Sequence, residues 1–374
     1  MLKTANRVFL ACTLACILVA AILPMGSMAY ADNEAQYSVP VATEAVETFT
    51  LALLEKDDRY DAFSGAEAVY RYPLYDAALT DVVALMYELQ NEKTVGYMII
   101  DPYRNLVLEF SAADQNPYSK IAVPAADESA ASCKRVYTYA DYGVSISGNK
   151  IQFLLGGERS VVVESRRSAY ASTANMAAGT AAVPVISTNT VSGFTYYLQN
   201  SRNCVAAAMA HMITFWNRFC PSLCNVTNQT SFNALMDSLT AYGNNYGGIG
   251  VNANIPSVYQ AYVNGLIIDP LPGGIEYSYS VTAQNIWNPT VSQVIAEINA
   301  GRPVMLGYTQ WVSAPHMTVC TGIEYRSGSY YVTVASGHST SPTEKIWDSS
   351  VNDFICRVSF TVDSLRSISD ISAD

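Results

Sequence analysis

The spacing of apolar residues changes from a helical to a strand-like period within the first half of the chain. Residues 41–56, VATEAVETFTLALLEK, place apolar side chains at helical spacing and predict an amphipathic helix. Apolar and β-branched runs bounded by turn residues follow it, and they predict antiparallel strands at residues 95–101, 105–111, 135–140, 150–156 and 159–165. Residues 33–164 are therefore predicted to form a small N-terminal α+β domain.

The second half of the chain begins with helical patterns and ends with strand-like ones. Helices are predicted from Cys204, over residues 228–243, and from Thr290 to Gly301. Strands are predicted after them at residues 304–309, 317–325, 330–336 and 356–362. Residues 188–370 are therefore predicted to form a second α+β domain, in which helices pack on an antiparallel sheet.

The stretch between these two domains has a different texture. Residues 165–187 are rich in Ala, Ser and Thr and lack a strong period, so they are predicted to be an exposed linker. Arg166 and Arg167 lie at its start. They are interpreted either as a cleavage point or as a solvated pair of charges.

The first 31 residues have the pattern of a secretory signal peptide. Lys3 and Arg7 precede an apolar core at residues 8–23, and Ala29 and Ala31 form an A-x-A cleavage site. No cysteine follows directly, which argues against a lipoprotein. No later apolar run approaches the roughly 20 residues that a membrane-spanning helix needs. We therefore expect a secreted protein without a membrane anchor.

Composition narrows the classes of partner and cofactor. The formal net charge at pH 7 is −11, whereas nucleic acids and anionic membranes bind basic surfaces, so neither is expected as a partner. No dinucleotide-binding glycine pattern, phosphate-binding loop or HExxH metal motif occurs. We therefore expect no cofactor and no metal. The sequence leaves the oligomeric state open.

The cysteines of an exported protein normally form disulfides. Cys220 and Cys224, in CPSLC, are close enough to pair if the chain turns at Pro221. A zinc site is a poorer interpretation because the chain has only 3 His. If Cys204 is kept as a free thiol, at least one other cysteine stays unpaired. The cysteines outside the predicted signal peptide are Cys133, Cys204, Cys220, Cys224, Cys320 and Cys356.

A lone thiol at the start of an apolar helix is the main candidate for chemistry. Cys204 begins the run CVAAAMAHMITFW. The free N–H groups and the macrodipole at a helix start favour a thiolate there. Because this helix is apolar nearly all round, it is predicted to be buried, with only its first turn meeting solvent. The alternative interpretation is a buried structural cysteine, the commoner state of a single Cys.

Three histidines could serve as the base for this thiol. His211 lies two helical turns after Cys204, about 10.5 Å along the axis, too far for a hydrogen bond to the sulfur. It is interpreted as a core or helix-face residue. His316 begins a predicted strand, from which its side chain can face a helix start across a cleft. His338 ends the next strand in a Gly-Ser loop and is the second choice.

These elements together resemble the papain-like cysteine peptidases. Helices before strands, with Cys before His, is the order of that α+β fold, which has a helical half plus an antiparallel sheet. NCVAAAMAHMITFW is similar to the nucleophile helix of streptopain-like bacterial peptidases. TVSQVIAEINAGRPVMLGYTQ followed by PHMTVCTGIEY resembles the domain related to bacteriocin double-glycine leader peptidases. The resemblance covers residues 190–362 and implies hydrolysis of a peptide or protein substrate.

The resemblance implies a role for each matching position. Cys204 would be the nucleophile and His316 the general base and acid. Gln199, five residues before the cysteine, would donate to the oxyanion together with the backbone N–H of Cys204. The family's offset is about one residue longer, so Asn200 and Asn203 are alternatives for this donor.

The position that orients the catalytic histidine departs from the family pattern. The family has an Asn or Asp there, which holds the imidazole in its reactive tautomer. The matching position in this chain is Ser336, which carries no charge. Either Ser336 orients His316 more weakly, or Asp348 or Asn352 does so, or activity is reduced or lost.

The N-terminal domain also resembles a known part of these enzymes. Residues 77–111 are similar in rhythm to the prodomain that blocks the cleft of streptopain-like zymogens; the alternative is an accessory domain. We therefore expect a secreted bacterial cysteine peptidase made as a zymogen. One alternative is an inactive papain-like homologue that binds peptides or proteins. The other is a cell-wall amidase or peptidoglycan peptidase, in which the His usually follows sooner than the 112 residues between Cys204 and His316.

Overall fold

A computed structural model describes most of the chain after residue 36. The described residues are 37–55, 58–121, 133–138, 141–146, 149–154, 157–161, 189–199, 203–250, 252–266, 275–308, 316–326, 328–349 and 351–367. The predicted signal peptide, residues 1–31, and the predicted linker, residues 165–187, lie outside them. The predicted domain boundaries at residues 164 and 188 do so as well.

In its described part, the first half of the chain contains one α-helix and eight strands. Helix α1, Val39–Leu54, buries Ala42, Val46 and Leu53 against the sheet. The other elements are β1 (Glu67–Tyr75), β2 (Val82–Asn91), β3 (Lys93–Asp101), β4 (Leu106–Ser111), β5 (Arg135–Thr138), β6 (Asp141–Ile146), β7 (Lys150–Phe153), β8 (Gly157–Ser160) and two short 3-10 helices (Asp58–Phe63 and Pro117–Lys120). We call residues 37–161 the N-terminal block.

The second half contains four α-helices and seven strands within the described ranges. The helices are α2 (Cys204–Trp216), α3 (Gln229–Asn244), α4 (Ile255–Asn264) and α5 (Val291–Asn299). The strands are β9 (Asn189–Thr190), β10 (Ile275–Trp287), β11 (Val304–Tyr308), β12 (His316–Arg326), β13 (Ser329–Ala335), β14 (Thr343–Ile346) and β15 (Asn352–Ser367). We call residues 189–367 the C-terminal block.

The strands of both blocks belong to one sheet. Over the described residues its order is β10-β15-β11-β12-β13-β14-β4-β3-β2-β1-β5-β6-β7-β8, with β9 paired to β12. The described pairs are antiparallel except that β1 and β5 run parallel. The blocks meet where β14 pairs with β4, and the described residues of both belong to one compact unit. This α+β arrangement with a large, mostly antiparallel sheet is compatible with the papain-like fold.

Helix α2 is the central helix of the C-terminal block. Asn203 caps its start, because its Oδ1 accepts a hydrogen bond from the backbone N–H of Ala206 at 3.4 Å. The helix packs between β12 and α3, and its residues from Val205 to Ile213 are all buried. Its alanines allow this close packing on two sides, so the prediction of a buried helix is confirmed. Among the described helices, none is long and apolar enough to cross a membrane.

Most strongly periodic segments were predicted correctly. The helices at residues 41–56 and 228–243 are confirmed as α1 and α3, and the strand runs of the C-terminal block as β11, β12 and β13. Six strands and one α-helix of the described residues were missed. In β2, residues 84–87 are buried on both faces, so they show no alternation. The missed elements are β1, β2, β6, β9, β10, β14 and α4.

The proposed pairing of the two cysteines in CPSLC does not form. Cys220 and Cys224 are both free thiols. The Cys220 Sγ lies 3.6 Å from the backbone oxygen of Phe360, to which it donates, while the backbone N–H of Cys224 donates to Asn217 Oδ1 at 3.0 Å. The intervening turn is closed by the Tyr262 hydroxyl, which donates to the Leu223 carbonyl at 2.7 Å. Each cysteine therefore has a different local partner.

A buried carboxylate joins the two blocks beside the β4–β14 pairing. Glu109 of β4 is fully buried, and its Oε2 lies 2.8 Å from Nζ of Lys345 in β14, which is also buried. The hydroxyls of Tyr97, Tyr137 and Tyr142 also donate to this carboxylate. A buried ion pair needs such extra donors because each charge has lost its water.

Removing the lysine is expected to destabilise the protein strongly. Lys345→Met leaves the Glu109 charge buried without its cation, so the free energy of unfolding should fall by about 3–5 kcal/mol. Urea denaturation measures this value. The exposed pair between Lys150 and Glu158, 2.6 Å apart, provides the matched control: Lys150→Met should change it by less than about 1 kcal/mol. Equal effects of both substitutions would contradict the assignment.

Candidate active site

Cys204 lies where the first turn of α2 meets the start of β12. The backbone N–H of Met317, the residue after His316, lowers the pKa of the thiol, and the N–H groups of Val205 and Cys204 itself act in the same direction. The structure therefore brings the candidate nucleophile to the strand that begins with the candidate base.

Burial nevertheless decides the protonation of this thiol. Desolvation raises the pKa of Cys204, and the negative charge of Asp141 on β6 raises it further, while the three backbone N–H groups lower it. The net pKa is above the ordinary value. The expectation that the helix start favours a thiolate is therefore right in direction for the local N–H groups but outweighed by burial in this conformation.

His316 is buried at the start of β12, and a backbone carbonyl orients its ring. Its Nε2 lies 3.3 Å from the carbonyl oxygen of Ser336. Because a carbonyl can only accept, Nε2 carries the proton, and Nδ1 is left as the basic nitrogen of the neutral ring. Burial lowers the pKa of His316 to about 3, and the nearby charge of Lys345 lowers it in the same direction.

The orienting group at Ser336 is its backbone rather than its side chain. The Ser336 hydroxyl lies 3.3 Å from the hydroxyl of Thr343, and it accepts a hydrogen bond from the backbone N–H of His338 at 3.4 Å. Sequence comparison pointed to this position but suggested the hydroxyl as the acceptor. A main-chain carbonyl can orient the ring whatever side chain the position carries, so the missing Asn or Asp does not leave the imidazole without a partner.

Gln199 lies against the same turn as the candidate base. Its backbone N–H donates to the carbonyl oxygen of Gly337 at 2.9 Å, and Gly337 follows Ser336 directly. Of the alternative oxyanion donors, Asn203 is engaged in capping α2 and in a 2.6 Å contact with Thr240 Oγ1, and Asn200 lies outside the described residues.

The alternative orienting residues hold each other in a separate turn. Asn352 Oδ1 accepts from the backbone N–H of Asp348 at 2.9 Å, and the backbone N–H of Asn352 donates to the Asp348 carbonyl at 2.7 Å. Asn352 is fully buried where β15 begins, and it pairs with Tyr308 of β11. Their mutual contacts serve the turn between β14 and β15.

The other two histidines have different surroundings. His211 is buried in the core, with Nδ1 2.9 Å from the Ala207 carbonyl, and burial lowers its pKa to about 4. Its interpretation as a core residue is confirmed. His338 is also buried; its ring centroid lies 5.9 Å from that of His316. Burial and the nearby His316, Lys345 and Lys120 hold the pKa of His338 well below its ordinary value.

The N-terminal block reaches this cluster at three points. The ring of Tyr142 on β6 lies 4.7 Å from that of His338, edge to face. Lys120 Nζ lies 2.6 Å from the His338 carbonyl oxygen, to which it donates. Asp141, next to Tyr142, is the charge that raises the pKa of Cys204. No local motif marks these residues, because their block is brought to the site by long-range contacts such as the pairing of β4 with β14.

Comparison with known proteins agrees with a peptidase. Residues 191–357, which include Cys204, His316, Gln199 and Ser336, match the model of the Peptidase_C39 like family. The match supports a cysteine peptidase related to that family, acting on a peptide or protein. A search of curated proteins found no match. Within the described residues, no three His, Cys, Asp or Glu side chains are grouped to hold a metal ion.

The three buried histidines predict acid sensitivity of the fold. Their pKa values are depressed in the folded state, so below about pH 6.5 the unfolded chain binds protons that the folded chain does not. The free energy of unfolding should therefore decrease as the pH is lowered, by up to about 1.4 kcal/mol per pH unit for each histidine. Urea denaturation between about pH 6.5 and about pH 5 measures the slope. His211→Gln should make it shallower by about one proton; an unchanged slope would contradict this account.

Proposed function

We propose that this protein is a secreted bacterial cysteine peptidase of the papain-like fold, made as a zymogen. Cys204 is its nucleophile and His316 its general base and acid. The observation that carries the proposal is the contact of α2 with β12: α2 begins at Cys204 and β12 at His316, and the N–H of Met317, beside His316, lowers the pKa of the Cys204 thiol. Both residues lie within the segment that matches the peptidase family.

The bond changes follow from the tautomer of His316. Nδ1 takes the thiol proton, and the Cys204 sulfur forms a bond to the substrate carbonyl carbon while the π electrons move to oxygen. The Gln199 carboxamide and the Cys204 backbone N–H stabilise that oxyanion. When the carbonyl re-forms, the C–N bond breaks and His316 protonates the leaving amine. Water then attacks the thioester, giving a proton to His316, and the acid and the thiol are released.

The N-terminal block is proposed to keep the peptidase inactive until it is released, and we call this role the brake. In the described conformation, burial and Asp141 favour the neutral thiol, and burial together with Lys345 favours the neutral imidazole of His316. Both shifts oppose the thiolate–imidazolium pair that attacks a carbonyl. Withdrawal of β6 with Asp141 and Tyr142 would admit water and remove one negative charge, so both shifts would shrink. The predicted signal peptide at residues 1–31 supports export of this latent form.

A second candidate is an inactive homologue that binds peptides. The same neutral pair favours it, because a neutral thiol is a poor nucleophile, and so does the absence of a side-chain carboxylate or amide at Ser336. It differs from the zymogen in one respect: release of the N-terminal block would not produce a reactive thiol.

Labelling with a thiol-directed fluorescent inhibitor, combined with substrate hydrolysis, tests the catalytic assignment. We expect the released enzyme to be labelled at Cys204 at neutral pH and to degrade casein, and both properties should be lost in His316→Ala. Ser336→Ala is the matched control. Its hydroxyl faces Thr343, so this variant should retain activity within about threefold.

The outcomes separate the candidate functions. Cleavage of peptidoglycan but not casein would favour the cell-wall amidase. No labelling after release of the N-terminal block would favour the peptide-binding homologue. Loss of activity in Ser336→Ala as severe as in His316→Ala would contradict the role given to the backbone carbonyl.

The brake makes a separate prediction about the intact chain. Asp141→Asn removes the smaller of the two causes that raise the pKa of Cys204, the larger being burial, so iodoacetamide should alkylate the intact variant up to about twofold faster than the intact wild type. Asp61→Asn, which alters an exposed carboxylate of the same block, is the control and should leave the rate unchanged.

Mass spectrometry of culture supernatant should show a processed species beginning near residues 170–190. Secretion of the intact chain alone, with full activity, would refute the brake.

A further inference from the structure

Three consecutive backbone N–H groups before α2 are each bound by a different element. The donors and acceptors are Tyr197 N–H to His211 Nε2 at 3.0 Å, Leu198 N–H to Gln229 Oε1 at 2.9 Å, and Gln199 N–H to the Gly337 carbonyl oxygen at 2.9 Å. These acceptors lie on α2, at the start of α3, and in the turn after β13. The segment lies outside any helix or strand, and each of its three residues is held by a different part of the C-terminal block.

Nε2 of His211 acts only as a hydrogen-bond acceptor. Its Nδ1 faces the Ala207 carbonyl, which can only accept, so Nδ1 carries the proton and Nε2 is free to receive the Tyr197 N–H. The ring stacks on Phe194 at 5.6 Å and lies 4.6 Å from Phe232. This packing fixes the ring, and the burial that lowers its pKa keeps it neutral.

The side-chain amide of Gln229 makes two hydrogen bonds to the backbone of Leu198, the middle residue of the segment. Its Oε1 accepts from the Leu198 N–H, and its Nε2 donates to the Leu198 carbonyl at 2.8 Å. Leu198 is 38% exposed, so packing of its side chain does not hold the segment in place. The two hydrogen bonds from the Gln229 amide hold this residue in place instead.

Gly337 leaves room for the last residue of the segment. A Cβ at this position would lie 2.8 Å from Cβ of Gln199 and 3.0 Å from its Oε1, and the glycine has φ +76°. Another residue would therefore both strain the turn and displace Gln199. The preceding carbonyl, that of Ser336, orients His316, so one turn holds both the candidate base and the candidate oxyanion donor.

We propose that His211, Gln229 and Gly337 are positioning residues that hold the Tyr197–Gln199 backbone, and with it the Gln199 carboxamide, at the oxyanion site. The inference rests on the proposed peptidase function for its catalytic consequence. These residues touch no reacting atom. They act by fixing the backbone from which Gln199 projects, so their loss lowers the stabilisation of the oxyanion without changing the nucleophile.

Amide hydrogen exchange on the intact chain tests the positioning without any need for activity. Gln229→Leu and His211→Leu each remove an acceptor, so exchange in the peptide that covers residues 194–199 should become about tenfold faster or more. His211→Gln, which retains one donor and one acceptor, should restore much of the protection. Gln293→Leu is the matched control, because Gln293 Oε1 caps α5 by accepting from the N–H of Thr290 at 2.8 Å and from its hydroxyl at 3.3 Å, both outside residues 194–199.

Two reactions of the released enzyme test the catalytic consequence. Alkylation by iodoacetamide needs the thiolate but no oxyanion site, whereas peptide hydrolysis needs both. In Gln229→Leu and His211→Leu, kcat per titrated active site should fall about tenfold to a hundredfold, with KM and the alkylation rate within about twofold of wild type. His211→Gln should recover most of the lost kcat.

The outcomes distinguish this inference from the proposed function. Unchanged exchange at residues 194–199 in Gln229→Leu would overturn the inference even if the enzyme is active. Parallel loss of hydrolysis and alkylation would also overturn it, because the residues would then be structural only. A released wild type that is alkylated but hydrolyses no peptide would refute the peptidase, while the exchange experiment would still decide whether the segment is held as described.

Discussion

Three successive backbone carbonyls after β13 organise the site. The carbonyl of Ser336 faces His316 Nε2, that of Gly337 accepts from the Gln199 N–H, and that of His338 accepts from Lys120 Nζ. One turn therefore contacts the candidate base, the segment carrying the candidate oxyanion donor, and the N-terminal block. A main chain fixed at both ends by the sheet is a more rigid support than a side chain, since it has no rotamers to lose.

Burial, more than local charge, determines the chemical state of the site. The first-turn N–H groups of α2 favour a thiolate at Cys204, but the enclosed surroundings favour the neutral thiol, and the same enclosure keeps His316 neutral. The N-terminal block supplies part of that enclosure through β6. A site whose groups are in place but uncharged is what a latent enzyme requires, so the electrostatics fit the zymogen that we propose.

The contact between the blocks explains why β6 lies at the site. The pairing of β14 with β4 is short, and the buried pair of Glu109 and Lys345 strengthens it. Tyr142 belongs to both regions, because its hydroxyl donates to Glu109 while its ring lies against His338. Tyr142 therefore links the buried Glu109–Lys345 pair to His338, whose ring is next to that of His316.

The sequence determined the elements whose signals are local. The helix after Cys204, the capped helices α3 and α5, and the strands around His316 follow from period, propensity and end signals, each of which depends on neighbouring residues. Resemblance to a known family added the pairing of Cys204 with His316, and the family match covers both. The missed strands β2 and β14 lack a period because they are buried on both faces or too short.

Only the tertiary structure decided which atoms serve these positions and in what state. That Ser336 acts through its carbonyl, that His211 receives the Tyr197 N–H, and that Asp141 acts on Cys204 could not be read from spacing. Each depends on residues between 14 and 63 positions apart in the chain. Long-range sheet pairing and burial bring them together, whereas a sequence pattern records only what lies nearby.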